Sequence, residues 1–84
     1  MRSRIWFMKI PEKKRKFGIE LRKARLRLGM PQADLARRVG VHRQAVWFWE
    51  HGYRMPELGR VQIICNALAI DSYVLLQHMI DCVE

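Results

Sequence analysis

The chain has 84 residues, half of them apolar, with three prolines and two cysteines. That length holds one compact core and excludes a second folding unit within it, while the apolar share excludes disorder over most of the sequence. Sixteen Lys and Arg stand against eight Asp and Glu, and the resulting charge of +8 selects a polyanionic partner, either nucleic acid or an acidic membrane surface.

Much of the positive charge lies early, in Lys9, Lys13, Lys14, Arg15, Lys16, Arg22, Lys23, Arg25 and Arg27. Residues 1–10 hold Ile5, Trp6, Phe7 and Ile10 and stop at Pro11, reading as a short strand, an arm that packs on a partner subunit, or a partly ordered tail. The run is too short to span a membrane and lacks the apolar length and cleavage site of a secretory signal, so a reducing, cytoplasmic setting is expected, with no membrane partner. With the basic stretch that follows, residues 1–16 are expected to form an arm and residues 17–84 the folded domain.

From Phe17 onward the apolar residues Phe17, Leu21, Ala24 and Leu28 fall at i, i+4, i+7 and i+11, an amphipathic helix with Arg and Lys on its other face. Gly29 stands where such helices stop. After Met30-Pro31, a helix of about two turns over Gln32 to Val39 sets Leu35, Ala36 and Val39 on one side and ends at Gly40. A third is expected from His42 or Arg43 to His51, with Ala45, Val46 and Trp49 inward and Gly52 as its stop. The loop Tyr53 to Pro56 leads to a fourth, about Glu57 to Leu68, burying Leu58, Val61, Ile64, Cys65 and Leu68. Asp71 and Ser72 are alternative N-caps for a fifth, about Tyr73 to Cys82. No segment of the central sixty residues alternates like a strand, so the fold class is all-α.

The residues point away from catalysis. Cys65 and Cys82 have no CxxC spacing and no His pair beside them; Cys65 reads as a core residue, and Cys82 as a more exposed one open to an intermolecular disulfide. Met30, Met55 and Met79 read as packing residues and His78 as a helix-surface residue. No His, Cys or carboxylate cluster has metal spacing, and no Ser/His/Asp order, glycine-rich phosphate loop or carboxylate pair is present. Neither a metal, a cofactor nor an enzyme activity is expected.

Two short helices around the Gly40-Val41 turn form a helix-turn-helix arrangement, in which the second helix enters the major groove of DNA. Ala36 is small where the helices cross most closely, Gly40 permits positive φ, and Val41 plugs the turn from beneath. The pattern Gly29-x-x-Gln32-x-x-Leu35-Ala36-x-x-Val39-Gly40-Val41, then Val46-x-x-Trp49-Glu50-x-Gly52 and Pro56, resembles the Cro/C1-type (XRE-like) helix-turn-helix family of phage, plasmid and bacterial regulators over about Glu20 to Leu76.

The resemblance implies a five-helix bundle of the lambda-repressor-like type that binds double-stranded DNA. It places His42, Arg43, Gln44, Trp47 and Phe48 against base edges, where Arg43 can pair with guanine O6 and N7 and Gln44 with adenine N6 and N7. It places Gln32 on a phosphate at a helix N-terminus, with His51, Tyr53 and Arg54 as a second phosphate clamp. It also implies an internal ion pair between Arg25 and Glu50, a structural role for that carboxylate.

The sequence departs from the family at Pro31, where Thr, Ser or Asn is usual, since proline offers no side-chain oxygen and no N–H. It departs again at Trp47 and Phe48, which stand where polar residues are common; they read either as contacts to thymine methyl groups or as aromatics buried against this chain or a partner. One short helix reads few base pairs, so a homodimer on an inverted repeat is expected, paired through the C-terminal helix (Tyr73, Leu76, Met79, Ile80, Val83) or through Ile5 to Ile10. The function expected is a repressor acting in the cytoplasm at the nucleoid. The alternatives are the antitoxin of a toxin–antitoxin pair, with a toxin as protein partner, and a protein-interaction module that has kept the fold and lost DNA reading.

Overall fold

A computed structural model describes the backbone of residues 12–83 and the side chains of residues 14–77. Five helices follow in order: α1 Glu12–Arg27, α2 Gln32–Val39, α3 Arg43–His51, α4 Leu58–Leu68 and α5 Ser72–Val83, with no strand among the described residues. α1 packs on α3 and α5, α2 on α3 and α4, and α4 on α5, which is the all-α bundle expected. The apolar run Ile5 to Ile10, like the side chains of His78, Met79, Ile80, Cys82 and Val83, lies outside the described residues.

α1 begins at Glu12 rather than at Phe17. Periodicity marks only the buried face of a helix, and the stretch before Phe17 has no buried apolar residue to mark it. Its Glu, Lys and Arg are nevertheless good helix formers and extend the helix ahead of the core.

The first four helices end with the same hydrogen-bonded closure, in which the amide beyond the left-handed residue reaches back into the last turn. After α1 the Met30 N–H donates to the Arg25 carbonyl at 3.1 Å; after α2 the Val41 N–H donates to that of Ala36 at 2.9 Å. After α3 the Tyr53 N–H donates to Phe48 at 3.0 Å, and after α4 the Ile70 N–H donates to Cys65 at 3.0 Å. Glycine fills the left-handed position after the first three helices, whereas Ala69 takes it after α4 with φ 56°. α5 is opened by Asp71, whose Oδ1 accepts the Tyr73 N–H at 3.1 Å.

Each helix sends at least one fully buried side chain to the core: Phe17 and Leu21 from α1, Leu35 from α2, Val46 from α3, Ile64 and Leu68 from α4, and Leu75 from α5. Such burial contributes about 1.5–3 kcal/mol per large apolar side chain relative to exposure. Two expected core residues are outside it. Leu28 is 50% exposed because α1 stops at Arg27 and Leu28 belongs to the closure, not the stripe. Leu58 is 68% exposed because it is the first residue of α4, a turn before the buried Val61.

Gly18 explains how α1 and α3 come so close. A Cβ there would lie 2.3 Å from the Glu50 carbonyl oxygen and 2.6 Å from that of Trp49. A glycine inside a helix costs about 1 kcal/mol relative to alanine. Here it lets the α1 backbone rest against the end of α3, and so sets the position of the helix that carries the candidate site.

Candidate nucleic-acid interface

The α2–α3 unit is held at three places. At the turn, the Ala36 carbonyl accepts from both the Gly40 and Val41 amides, at 2.8 and 2.9 Å, with Gly40 at φ 85° and Val41 half-buried against the core. Ala36 itself is buried, as the close crossing requires. From α4, Arg60 Nη1 donates to the Val39 carbonyl at 3.2 Å, supplying a partner to the open C-terminal end of α2.

The third attachment is ionic. Arg25 Nε donates to Glu50 Oε2 at 2.6 Å and Nη2 to Oε1 at 3.1 Å, while Nη1 donates to the Met30 carbonyl at 2.7 Å. Both side chains are buried, and no buried side-chain polar atom among the described residues lacks a partner. The two parallel N–H to oxygen bonds use the planar fork of the guanidinium, which lysine lacks.

Gln32 continues this network outward. Its Nε2 donates to Glu50 Oε1 at 3.0 Å, and its Oε1 accepts from Arg43 Nη1 at 3.3 Å. An unbroken line of contacts thus runs from Arg25 in α1, through Glu50 and Gln32, to Arg43 at the first turn of α3. At the start of α2, Pro31 provides no side-chain cap; its carbonyl accepts from Asp34 and Leu35 at 3.0 and 3.2 Å. The Gln32 amide group keeps one further N–H for a ligand.

α3 turns Val46, Trp49 and Glu50 inward. Its opposite side carries exposed His42, Arg43, Gln44 and His51, with Trp47 and Phe48 half-buried between them. Trp47 lies parallel to His51 at a centroid distance of 3.8 Å and parallel to Tyr53 at 5.9 Å. Phe48 meets Trp47 and Tyr53 edge-on, at 5.6 and 6.3 Å, and the Arg54 guanidinium sits 5.1 Å above the Phe48 ring. His51 Nδ1 is 2.8 Å from the Trp47 carbonyl; since a carbonyl only accepts, Nδ1 carries the proton. Neither Trp47 nor Phe48 is enclosed by the core. They form an apolar wall on the same side of α3 as Arg43 and Gln44, with His51, Tyr53 and Arg54 packed at its far end.

Two features of this surface have no signal in the sequence. Gln32 is eighteen residues from Glu50 and on another helix, so no spacing rule brings them together. Arg60 reads as an ordinary surface charge of α4, yet it reaches α2 and lines, with Phe48 and Arg54, a shallow hollow of about 230 Å³ beside the exposed α3 face. Among the described residues no group of three or more His, Cys, Asp or Glu can hold a metal, and no helix is long and apolar enough to cross a membrane.

A family profile of the helix-turn-helix matches residues 21–75, from the middle of α1 to the start of α5. No curated protein matches the chain significantly. Among solved structures, the restriction-modification controller protein C.AhdI from Aeromonas hydrophila is 33% identical with a TM-score of 0.72, over 76% of this chain and 93% of that one. A point mutant of the restriction-modification controller protein C.Esp1396I is 27% identical with a TM-score of 0.65, over 80% of this chain and 87% of that one. The match takes in both helices of the motif, the Arg25–Glu50 pair and the whole of the exposed α3 face, and the chain belongs to the Cro/C1-type helix-turn-helix family of DNA-binding transcriptional regulators.

Proposed function

We propose that this chain is a sequence-specific repressor that binds an inverted-repeat operator as a homodimer, with α3 in the major groove. The observation that carries the reading is the presentation of Arg43 and Gln44, exposed at the first turn of α3, with the Arg43 guanidinium held by Gln32. Preorganised in this way, Arg43 pairs with guanine O6 and N7 and Gln44 with adenine N6 and N7, while His42, Trp47 and Phe48 complete the base-reading face. Gln32 offers its remaining N–H to a phosphate near the α2 N-terminus, and the Tyr53 hydroxyl and the Arg54 guanidinium, with His51 beside them, donate to the backbone at the other end of α3.

Homodimerisation follows from the size of this surface, since one two-turn helix reads too few base pairs for selectivity. Tyr73 and Val74 at the start of α5 are exposed and supply an apolar patch for it. The genes controlled are those of a restriction-modification operon, an assignment supported by the two controller proteins of similar structure. Acting on an operator, the protein works in the cytoplasm at the nucleoid.

The protein acts on its own promoter, and footprinting on the DNA upstream of its gene, with a transcription assay from that promoter, tests the reading. Protection of two half-sites about one helical turn apart, with a fall in transcription, is expected. No protection on that DNA would overturn autoregulation, and a rise in transcription would overturn repression.

A further inference from the structure

We propose that the Trp47–Phe48 wall reads the C5-methyl group of a pyrimidine beside the guanine taken by Arg43, so that thymine and 5-methylcytosine are favoured there over uracil and unmethylated cytosine. The inference rests on α3 entering the major groove, as set out above. It adds the chemical identity of a base that Arg43 and Gln44 do not read.

The argument begins with what the wall can offer. Phe48 has no hydrogen-bonding group, and the half-exposed Trp47 indole is carbon except at its one N–H. The one apolar group that projects from the major-groove edge of a base pair is the methyl group on C5 of thymine, which cytosine gains on C5 methylation. An apolar surface facing that edge therefore has one complementary target.

The wall is also fixed in place. Trp47 is stacked between ring contacts to His51 at 3.8 Å and Tyr53 at 5.9 Å, both nearly parallel, and Phe48 is wedged edge-on against Trp47 with Arg54 above it. The rings stay half-exposed because Val46 and Trp49 already fill the inward side of α3. An aromatic side chain held this way loses little rotamer freedom when a methyl group is pressed against it. Arg43 lies one helical turn before Trp47 on the same side of α3, which brings the wall over the base neighbouring the Arg43 guanine.

The test uses the duplex selected from a random pool and replaces each thymine of one half-site by uracil in turn, which removes a methyl group and changes nothing else on the base edge. At one position, next to a guanine, binding weakens about fourfold, the worth of one buried methyl group (about 0.8 kcal/mol). With a C·G pair at that position, methylating C5 of the cytosine strengthens binding by a similar factor. Phe48→Leu and Trp47→Leu, checked for folding by circular dichroism, reduce the thymine-to-uracil ratio toward one. Selective binding that is indifferent to uracil at every position overturns this proposal and leaves the repressor reading intact. A folded protein that selects no sequence overturns the repressor reading and the methyl reading with it.

Discussion

The Arg25 guanidinium and the Glu50 carboxylate meet through two hydrogen bonds, of 2.6 and 3.1 Å, with side chains only 8% and 1% exposed. The pair joins α1 to the last turn of α3 in a place where neither charge has water to turn to. Removing one partner strands the other, which costs about 3–5 kcal/mol. Arg25→Ala and Glu50→Ala should each lower the unfolding free energy by that amount in urea denaturation. The double variant should lose much less than the sum of the two, because the charges destabilise only when left alone.

Gly18 makes a second, purely steric claim about the same junction. Alanine at this position would normally stabilise a helix by about 1 kcal/mol. Its Cβ, however, would press on the backbone carbonyls of Glu50 and Trp49, which have no flexible end to yield. Gly18→Ala should therefore reduce stability by about 1–3 kcal/mol, measured by thermal unfolding. A more stable variant would mean that α1 and α3 lie farther apart in solution.

The contacts of Gln32 predict a coupling between affinity and selectivity. Arg43→Ala should cost about 1–3 kcal/mol of DNA binding and relax discrimination at one base pair. Gln32→Ala removes the proposed phosphate donor and also the oxygen that holds Arg43 Nη1, so it should weaken every duplex and blunt the same discrimination in part. Competition binding at fixed salt reads both effects, and the double variant should be less than additive.

Cys65 gives a pH dependence. Burial, with a smaller push from the Asp71 carboxylate, raises the thiol above its ordinary range. A group raised on folding keeps its proton in the native state after the unfolded chain has lost it, so stability is complete below the unfolded value of about 8.5 and falls as pH rises beyond it. Denaturation between pH 7 and 10 should show this decline, and Cys65→Ala should flatten it. The same burial should keep Cys65 unreactive toward a thiol reagent until the protein unfolds.

The helices of this fold were legible because its core is periodic: Phe17, Leu21 and Ala24, or Val61, Ile64 and Leu68, announce their helices by spacing alone. Ends were harder. Leu28 and Leu58 match the apolar stripes of their helices but sit at the boundaries, Leu28 just past the end of α1 and Leu58 at the first residue of α4, a turn before the core begins. Glycine flags three of the four left-handed closures, while Ala69 gives no sign of the fourth, since alanine adopts that conformation only under the constraint of what surrounds it.

For the candidate site, the motif names the residues but not how they are connected. Arg25 and Glu50 come from the family pattern, yet the bridge through Gln32 to Arg43 exists only once α1, α2 and α3 are packed together. The stack of Trp47 on Tyr53 is likewise a product of the turn after α3, which brings Tyr53 back over the helix. Composition shows that the face is aromatic. Only the arrangement shows that its rings are fixed and half-exposed.

Selection of bound sequences from a random duplex pool at fixed physiological salt is the most direct test of α3 as a reading helix, because phosphate contacts alone bind all sequences alike and steeply with salt. An enriched inverted repeat, with a guanine and an adenine in each half-site whose enrichment is lost with Arg43→Ala and Gln44→Ala respectively, is the predicted result. A pool that stays unenriched while the folded protein binds it would contradict sequence reading by this face.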